Sequence, residues 1–265
     1  LQIVNISDPY DLSREERSDI AEQIRQQNFA LYKFDEPEVK LVKAKAAIRA
    51  FGKQLGLINL DAHLCADDDV ITPLAVAQAK GRENYIPYSD KPISWHTDGY
   101  YNSPAKTIRA VILHCLQPAA TGGANQVLDH EVMYSWLKAK DPEYIKVLEQ
   151  KDVMTIPENR IGGSLVRTAV SSPVFSSDTN GNLYMRYTER KRNISWKNQP
   201  LVLEALSYLT KLLHEPSAHI HKVRLESGQG IVCNNVLHNR EGFVNDADNE
   251  RIMLRARYYD RINNA

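Results

Sequence analysis

The sequence predicts a mainly β, α+β fold: a jelly-roll barrel carrying helices on its outside. Two observations predict it. From about residue 93, short apolar segments alternate with turn signals, at 107–115, 124–129, 152–156, 165–170, 183–187, 219–225, 230–236 and 251–259. Only two helical stretches interrupt them, at 131–150 and 199–214. A helical and strand support over 1–92 precedes this core of about 93–260, and 265 residues fit one barrel domain.

The elements follow in order. Residues 11–27 read as a helix, with Ser13 and Glu16 as a capping box and Ile20, Ile24 and Phe29 as its apolar stripe. Phe29–Phe34 alternates as a strand, and 37–55 reads as a second amphipathic helix ending near Gly56. Asn180-Gly181, between Phe175 and Tyr184, marks a hairpin. The polar stretch 81–92, with Tyr85 and Tyr88, reads as a lid or as an ordinary surface loop.

Composition excludes several classes. Lys+Arg and Asp+Glu both number 33, so no basic excess points to nucleic acid or a membrane surface. No run approaches the roughly 20 apolar residues of a membrane span. The first residues, Leu1 to Asn5, lack a signal-peptide pattern. Cys65, Cys115 and Cys233 are few and widely spaced, which suits reduced thiols in a cytoplasmic protein.

The chemistry is concentrated in His96-Thr97-Asp98 and a distant His238. On a strand, alternate side chains share a face, so His96 and Asp98 can reach one ion together. Two imidazoles and one carboxylate can hold one face of a six-coordinate Fe(II), leaving the other open. Each piece has a bland reading: a surface His and Asp on an exposed strand, and a structural His238. His63, His114 and His130 belong to no constellation, and His214 ends a helix.

The strand 251–258 alternates strictly. Arg251, Arg255 and Arg257 share one face with Met253, and Ile252, Leu254 and Ala256 take the other. One reading leaves the arginines in water. The other points them into the barrel, where they require anionic partners. A carboxylate ligand meets that need, because guanidinium binds it through two parallel hydrogen bonds.

Together these residues resemble the taurine dioxygenase (TauD/TfdA) family of Fe(II)/2-oxoglutarate oxygenases. The resemblance rests on Trp95 with His96-Thr97-Asp98, Gly122-Gly123, Leu237-His238 and Arg251 to Arg255, in that order. Ser172 to Phe175, Met185 to Tyr187 and the segment 235–257 also resemble the glutarate 2-hydroxylase branch. The resemblance implies a double-stranded β-helix. It implies Fe(II) on His96, Asp98 and His238, and Arg251 on the distal carboxylate of 2-oxoglutarate. Dioxygen would take the last site, with the co-substrate becoming succinate. The family often has a threonine after the two glycines; here Ala124-Asn125 follows, and the Asn125 amide could donate a similar hydrogen bond.

Arg255 matches a family position for the acidic group of the primary substrate. The expected substrate is therefore a small acidic metabolite, with Arg257, Arg186 and Tyr100 as further contacts. Tyr101 and Asn102 are read either as pocket lining or as strand packing. The charged run Thr188-Glu189-Arg190-Lys191-Arg192 reads as a solvated loop or an oligomer contact. Hydroxylation is the expected outcome. Desaturation or carbon–heteroatom cleavage, and a non-catalytic metal-binding jelly roll, are the alternatives. A homo-oligomer is compatible with the sequence.

Overall fold

A computed structural model describes residues 2–62, 70–76 and 85–262. His63, Cys65 and the start of the 81–92 stretch lie outside the described residues. The architecture is mixed α/β, with many strands and, among the described residues, five α-helices. These are α1 (Arg14–Gln27), α2 (Leu41–Gln54), α3 (His130–Lys140), α4 (Pro142–Leu148) and α5 (Pro200–His214).

Helix α1 starts where its capping box predicts. Glu16 N–H donates to Ser13 Oγ at 3.2 Å, and the Glu16 carboxylate accepts from Ser13 N–H at 2.6 Å. Asn28, in the left-handed region at φ 58°, ends it. The single helix expected over 131–150 is two, α3 and α4. Pro142 cannot continue a helix through its ring, and Asp141 instead caps α4 by accepting from Glu143 N–H.

Two sheets organise the molecule. The larger has six strands in the order Ile3–Ile6, Phe29–Phe34, Gln229–Cys233, Ala110–Gln117, Ile252–Tyr258 and Thr72–Leu74. The smaller has four: His221–Val223, Asn125–Leu128, Leu237–Arg240 and Ile93–His96. The strand Ile3–Ile6 is not legible in the sequence pattern, because only four residues alternate there. The hairpin at Asn180-Gly181 pairs Phe175 with Met185, and Asp178 accepts N–H groups of Asn180 and Asn182 to close its loop.

Buried side chains form layers. Leu254, Ala256 and Tyr258 of the large sheet pack with Ile20, Ile24 and Ile48 of α1 and α2. The opposite face of that sheet contributes Val111, Ile231 and Met253 to an inner cluster that includes Val127 of the small sheet. The small sheet's outer side chains, Trp95, Leu128 and Leu237, pack under α3, α4 and α5. Leu237 and His238 therefore face opposite ways, as strand pleating requires. His238 looks into the space between the sheets, where the arginine face of Ile252–Tyr258 also points.

Candidate active site

His96 closes the strand Ile93–His96 and lies directly opposite His238 in the sheet register. Their ring centroids are 4.3 Å apart. Each ring is oriented the same way: Nδ1–H donates to the carbonyl two residues back, Ser94 for His96 and Val236 for His238, both at 2.9 Å. Both Nε2 atoms remain as lone-pair donors. Burial, then the neighbouring His238, push the His96 imidazole down to about 3, so it is neutral at ordinary pH.

Asp98 departs from the sequence expectation in one respect. The strand ends at His96, and Asp98 sits in the turn that follows. Its placement is fixed by Asn235, whose Oδ1 accepts from Asp98 N–H at 2.8 Å and whose Nδ2 donates to Asp98 O at 3.0 Å. Asn235 adopts φ 49°, a conformation asparagine tolerates better than bulkier residues. Burial opposes ionisation of the Asp98 carboxyl, but Arg255, Arg257 and the two imidazoles hold it well below the usual carboxylate range.

Ligand atoms of His96, Asp98 and His238 all lie within 4.8 Å of one another. Arg255 Nη1 donates to Asp98 Oδ1 at 3.0 Å, whereas the buried Oδ2 has no hydrogen-bond partner among the described residues. An orphaned carboxylate oxygen between two free Nε2 atoms fits a divalent cation of the Fe(II) class.

Arg251 precedes the strand Ile252–Tyr258 and is 4% exposed. Its guanidinium lies over the Phe243 ring at 5.0 Å and, among the described residues, pairs with no carboxylate. Burial pushes it down to about 10. It lines a small cavity with Gly122, Gly123, Asn125 and Met253. Gly123, at φ 74°, is there because a Cβ would stand 3.2 Å from Arg251 Nε. One amide N–H of Asn125 is already committed to Asn239 O at 2.8 Å, which leaves one for a ligand.

The expected substrate contacts are distributed differently. Arg255 reaches the Asp98 carboxylate. Arg257, 2% exposed, is bonded to Asp61 and to the Tyr101 hydroxyl, and its Nη1 is 4.0 Å from Asp98. Arg186 is buried and donates to the carbonyls of Tyr100 and Asn102. Arg257 and Arg186 therefore brace the loop after Asp98, while Arg186 Nε and Nη1 and Arg257 Nε have no hydrogen-bond partner among the described residues. Tyr100 accepts from Arg190 Nη1 at 2.9 Å. Sequence reasoning missed Arg240, whose guanidinium ties Ser89 and Lys91 carbonyls to the small sheet, anchoring the segment read as a lid. Its only signal is position: it shares the His238 strand face.

The profile of the taurine catabolism dioxygenase TauD, TfdA family matches residues 2–257. A uridine-5′-phosphate dioxygenase from Streptomyces sp is 27% identical over 249 residues, covering 90% of this chain and 88% of that protein. Another uridine-5′-phosphate dioxygenase, from Amycolatopsis sp, is 29% identical over 170 residues, covering 62% and 60%. Among solved structures, asparagine oxygenase with Fe(II), 3-hydroxyasparagine and succinate superposes with TM-score 0.64 at 16% identity, covering 93% of this chain and 79% of that one. The non-heme iron oxygenase OrfP with iron, succinate and (3S)-hydroxy-L-Arg gives 0.67 at 15% identity, covering 93% and 81%. At such identities the structural likeness speaks to fold alone.

Proposed function

The chain belongs to the taurine catabolism dioxygenase TauD, TfdA family, and on that premise we propose that His96, Asp98 and His238 hold its iron and Arg251 holds the distal carboxylate of 2-oxoglutarate. It is an Fe(II)- and 2-oxoglutarate-dependent dioxygenase. The observation that carries the residue assignment is Arg251: a buried cation without a carboxylate partner among the described residues, in a cavity beside the triad strands. Unlike Arg186 and Arg240, whose guanidinium groups donate to backbone carbonyls, that of Arg251 has no hydrogen-bond partner among the described residues, and a carboxylate would supply one.

Bound at the triad, Fe(II) with 2-oxoglutarate and dioxygen supplies the oxidising power to hydroxylate a C–H bond while the co-substrate becomes succinate and carbon dioxide. The chain's residues prepare that centre. Two backbone carbonyls accept from the Nδ1 positions and turn each Nε2 toward the site a metal would take. Arg255 occupies Asp98 Oδ1 and keeps Oδ2 for the ion. Arg251 would hold the co-substrate's distal carboxylate, and Gly123 leaves its guanidinium room.

We read the two facing sheets as a double-stranded β-helix and the chain as one domain, since the inner cluster draws on both sheets. The substrate is a small acidic molecule, and the reading supported best is a nucleoside phosphate. The support is the pair of relatives named for uridine 5′-phosphate and the number of arginines around the triad. Succinate release with iron, ascorbate and candidate substrates tests it. Uridine 5′-phosphate is expected to raise release well above the substrate-free rate, and uridine much less. Stimulation by none of the nucleoside phosphates, with a small carboxylate or sulfonate active instead, would replace this substrate class. No helix among the described residues is long and apolar enough to cross a membrane.

A further inference from the structure

Among the described residues, no hydrogen bond fixes the direction of the buried Arg251 guanidinium. An arginine side chain has many rotamers, and a site that leaves them free binds its ligand at an entropic cost. Two contacts set the direction. Against Gly123, a Cβ would stand only 3.2 Å from Arg251 Nε and 3.5 Å from its Cδ, so the arginine stem runs over that backbone. The guanidinium carbon lies 5.0 Å from the centroid of the Phe243 ring. The negative face of an aromatic ring attracts a guanidinium.

A second cation shares the ring. Arg240 Cζ stands 4.9 Å from the same centroid. The Arg240 guanidinium also holds the backbone ahead of the small sheet: Nη2 donates to Ser89 O at 2.7 Å and to Lys91 O, and Nη1 to Pro87 O at 3.5 Å. Among the described residues, neither Arg240 nor Arg251 is in an ion pair, so one ring serves two like charges. Phe243 is itself fixed. Its N–H donates to Asp90 O at 3.0 Å, and it sits opposite Gly122 in a short antiparallel pair. Gly123 N–H donates to Gly242 O at 3.0 Å beside it. A Cβ on Gly122 would stand 2.4 Å from Gly242 O, so only glycine admits this approach.

We propose that Phe243 is a positioning residue of the co-substrate site: its ring sets the Arg251 guanidinium for a carboxylate and, through Arg240, links that site to the segment 87–91. The inference rests on the reading that Arg251 holds the distal carboxylate of 2-oxoglutarate. A carboxylate at Arg251 neutralises one of the two like charges at the ring. That relieves Arg240, which then holds its three carbonyls more firmly.

The test is anaerobic calorimetric titration of the Fe(II)-loaded full chain with 2-oxoglutarate. Phe243→Leu keeps an apolar side chain and removes the ring. It is expected to weaken binding about threefold to thirtyfold, the range of a cation–π contact from exposed to desolvated. Phe243→Tyr, which keeps the ring, should bind like the parent, as should the control Val244→Ala at an exposed neighbour. In an Arg251→Ala background, Phe243→Leu should weaken binding no further, because the ring acts through that guanidinium. Circular dichroism checks that each variant folds. Hydrogen exchange read in the same samples should show 2-oxoglutarate slowing the amides of Tyr88 and Ser89 severalfold in the parent, and less in Phe243→Leu. Parent-like affinity in Phe243→Leu, an equally weak Phe243→Tyr, or an undiminished loss in the Arg251→Ala background would overturn the positioning role. Unchanged exchange in the parent would overturn the link to 87–91. If Arg251→Ala alone binds 2-oxoglutarate as tightly as the parent, the co-substrate assignment of Arg251 falls, and the proposal with it.

Discussion

Individual atoms carry most of the chemistry. Among the described residues, no hydrogen bond is made by Asp98 Oδ2 or the two Nε2 atoms, whereas their companions, Oδ1 and the Nδ1–H groups, each have a partner. Arg251, proposed to hold the co-substrate, is the matching case. Arg251→Ala should raise the 2-oxoglutarate KM about a hundredfold or more, as loss of a buried charge partner does. Steady-state succinate assays check this, and an unchanged KM would remove Arg251 from the site. Gly123→Ala places a methyl 3.2 Å from Arg251 Nε and strains a backbone at φ 74°. It should raise the same KM by about tenfold while sparing iron binding, measured by metal titration. His114 provides a titration remote from the metal. Burial pushes its imidazole down to about 4, and the Tyr32 hydroxyl lies 3.1 Å from its Nδ1. Between pH 6.5 and 4 the unfolded chain binds this proton and the folded chain does not. Stability is therefore full above pH 6.5 and falls by roughly 3 kcal/mol as the pH drops to about 4. Urea midpoints across this range should show a shallower slope in His114→Gln; identical slopes would exclude His114 as a contributor.

At the level of elements, the sequence is legible where a local pattern has a local cause. The α1 capping box, the strand Phe29–Phe34 and the arginine alternation of Ile252–Tyr258 are such cases. Ser13→Ala should destabilise the protein by about 1 kcal/mol in urea unfolding, and no change would mean that the box is idle. The triad was legible because its three residues carry scarce chemistry. Their supports were not. Asn235 holds Asp98 from 137 positions away, a pairing that only the tertiary fold creates. The split between α3 and α4 follows from Pro142, whose effect outweighs the amphipathic pattern around it. The protein partners of the arginines were not legible for a related reason. Alternation says which side chains share a face, but not that Asp61 waits behind Arg257 to neutralise it. Thr188 to Arg192 has the composition of a solvated loop, and only its bridge to His96 reveals where it lies.

Across the whole molecule, the layers explain why the site can exist. The helices α1 and α2 cover one sheet, α3 to α5 cover the other, and the inner faces are left to hold histidines, a carboxylate and arginines between them. A charge-bearing interior is tolerable when its groups neutralise one another or await ligands. This interior is proposed to assemble a chelated iron and 2-oxoglutarate centre on His96, Asp98, His238 and Arg251. Anaerobic titration of the metal-free protein with Fe(II) and 2-oxoglutarate tests it most directly, through the weak visible charge-transfer band of the chelate. A band is expected in the parent protein that is lost in His96→Ala and needs far more 2-oxoglutarate in Arg251→Ala. A folded protein that binds iron yet shows no band at saturating 2-oxoglutarate would contradict it.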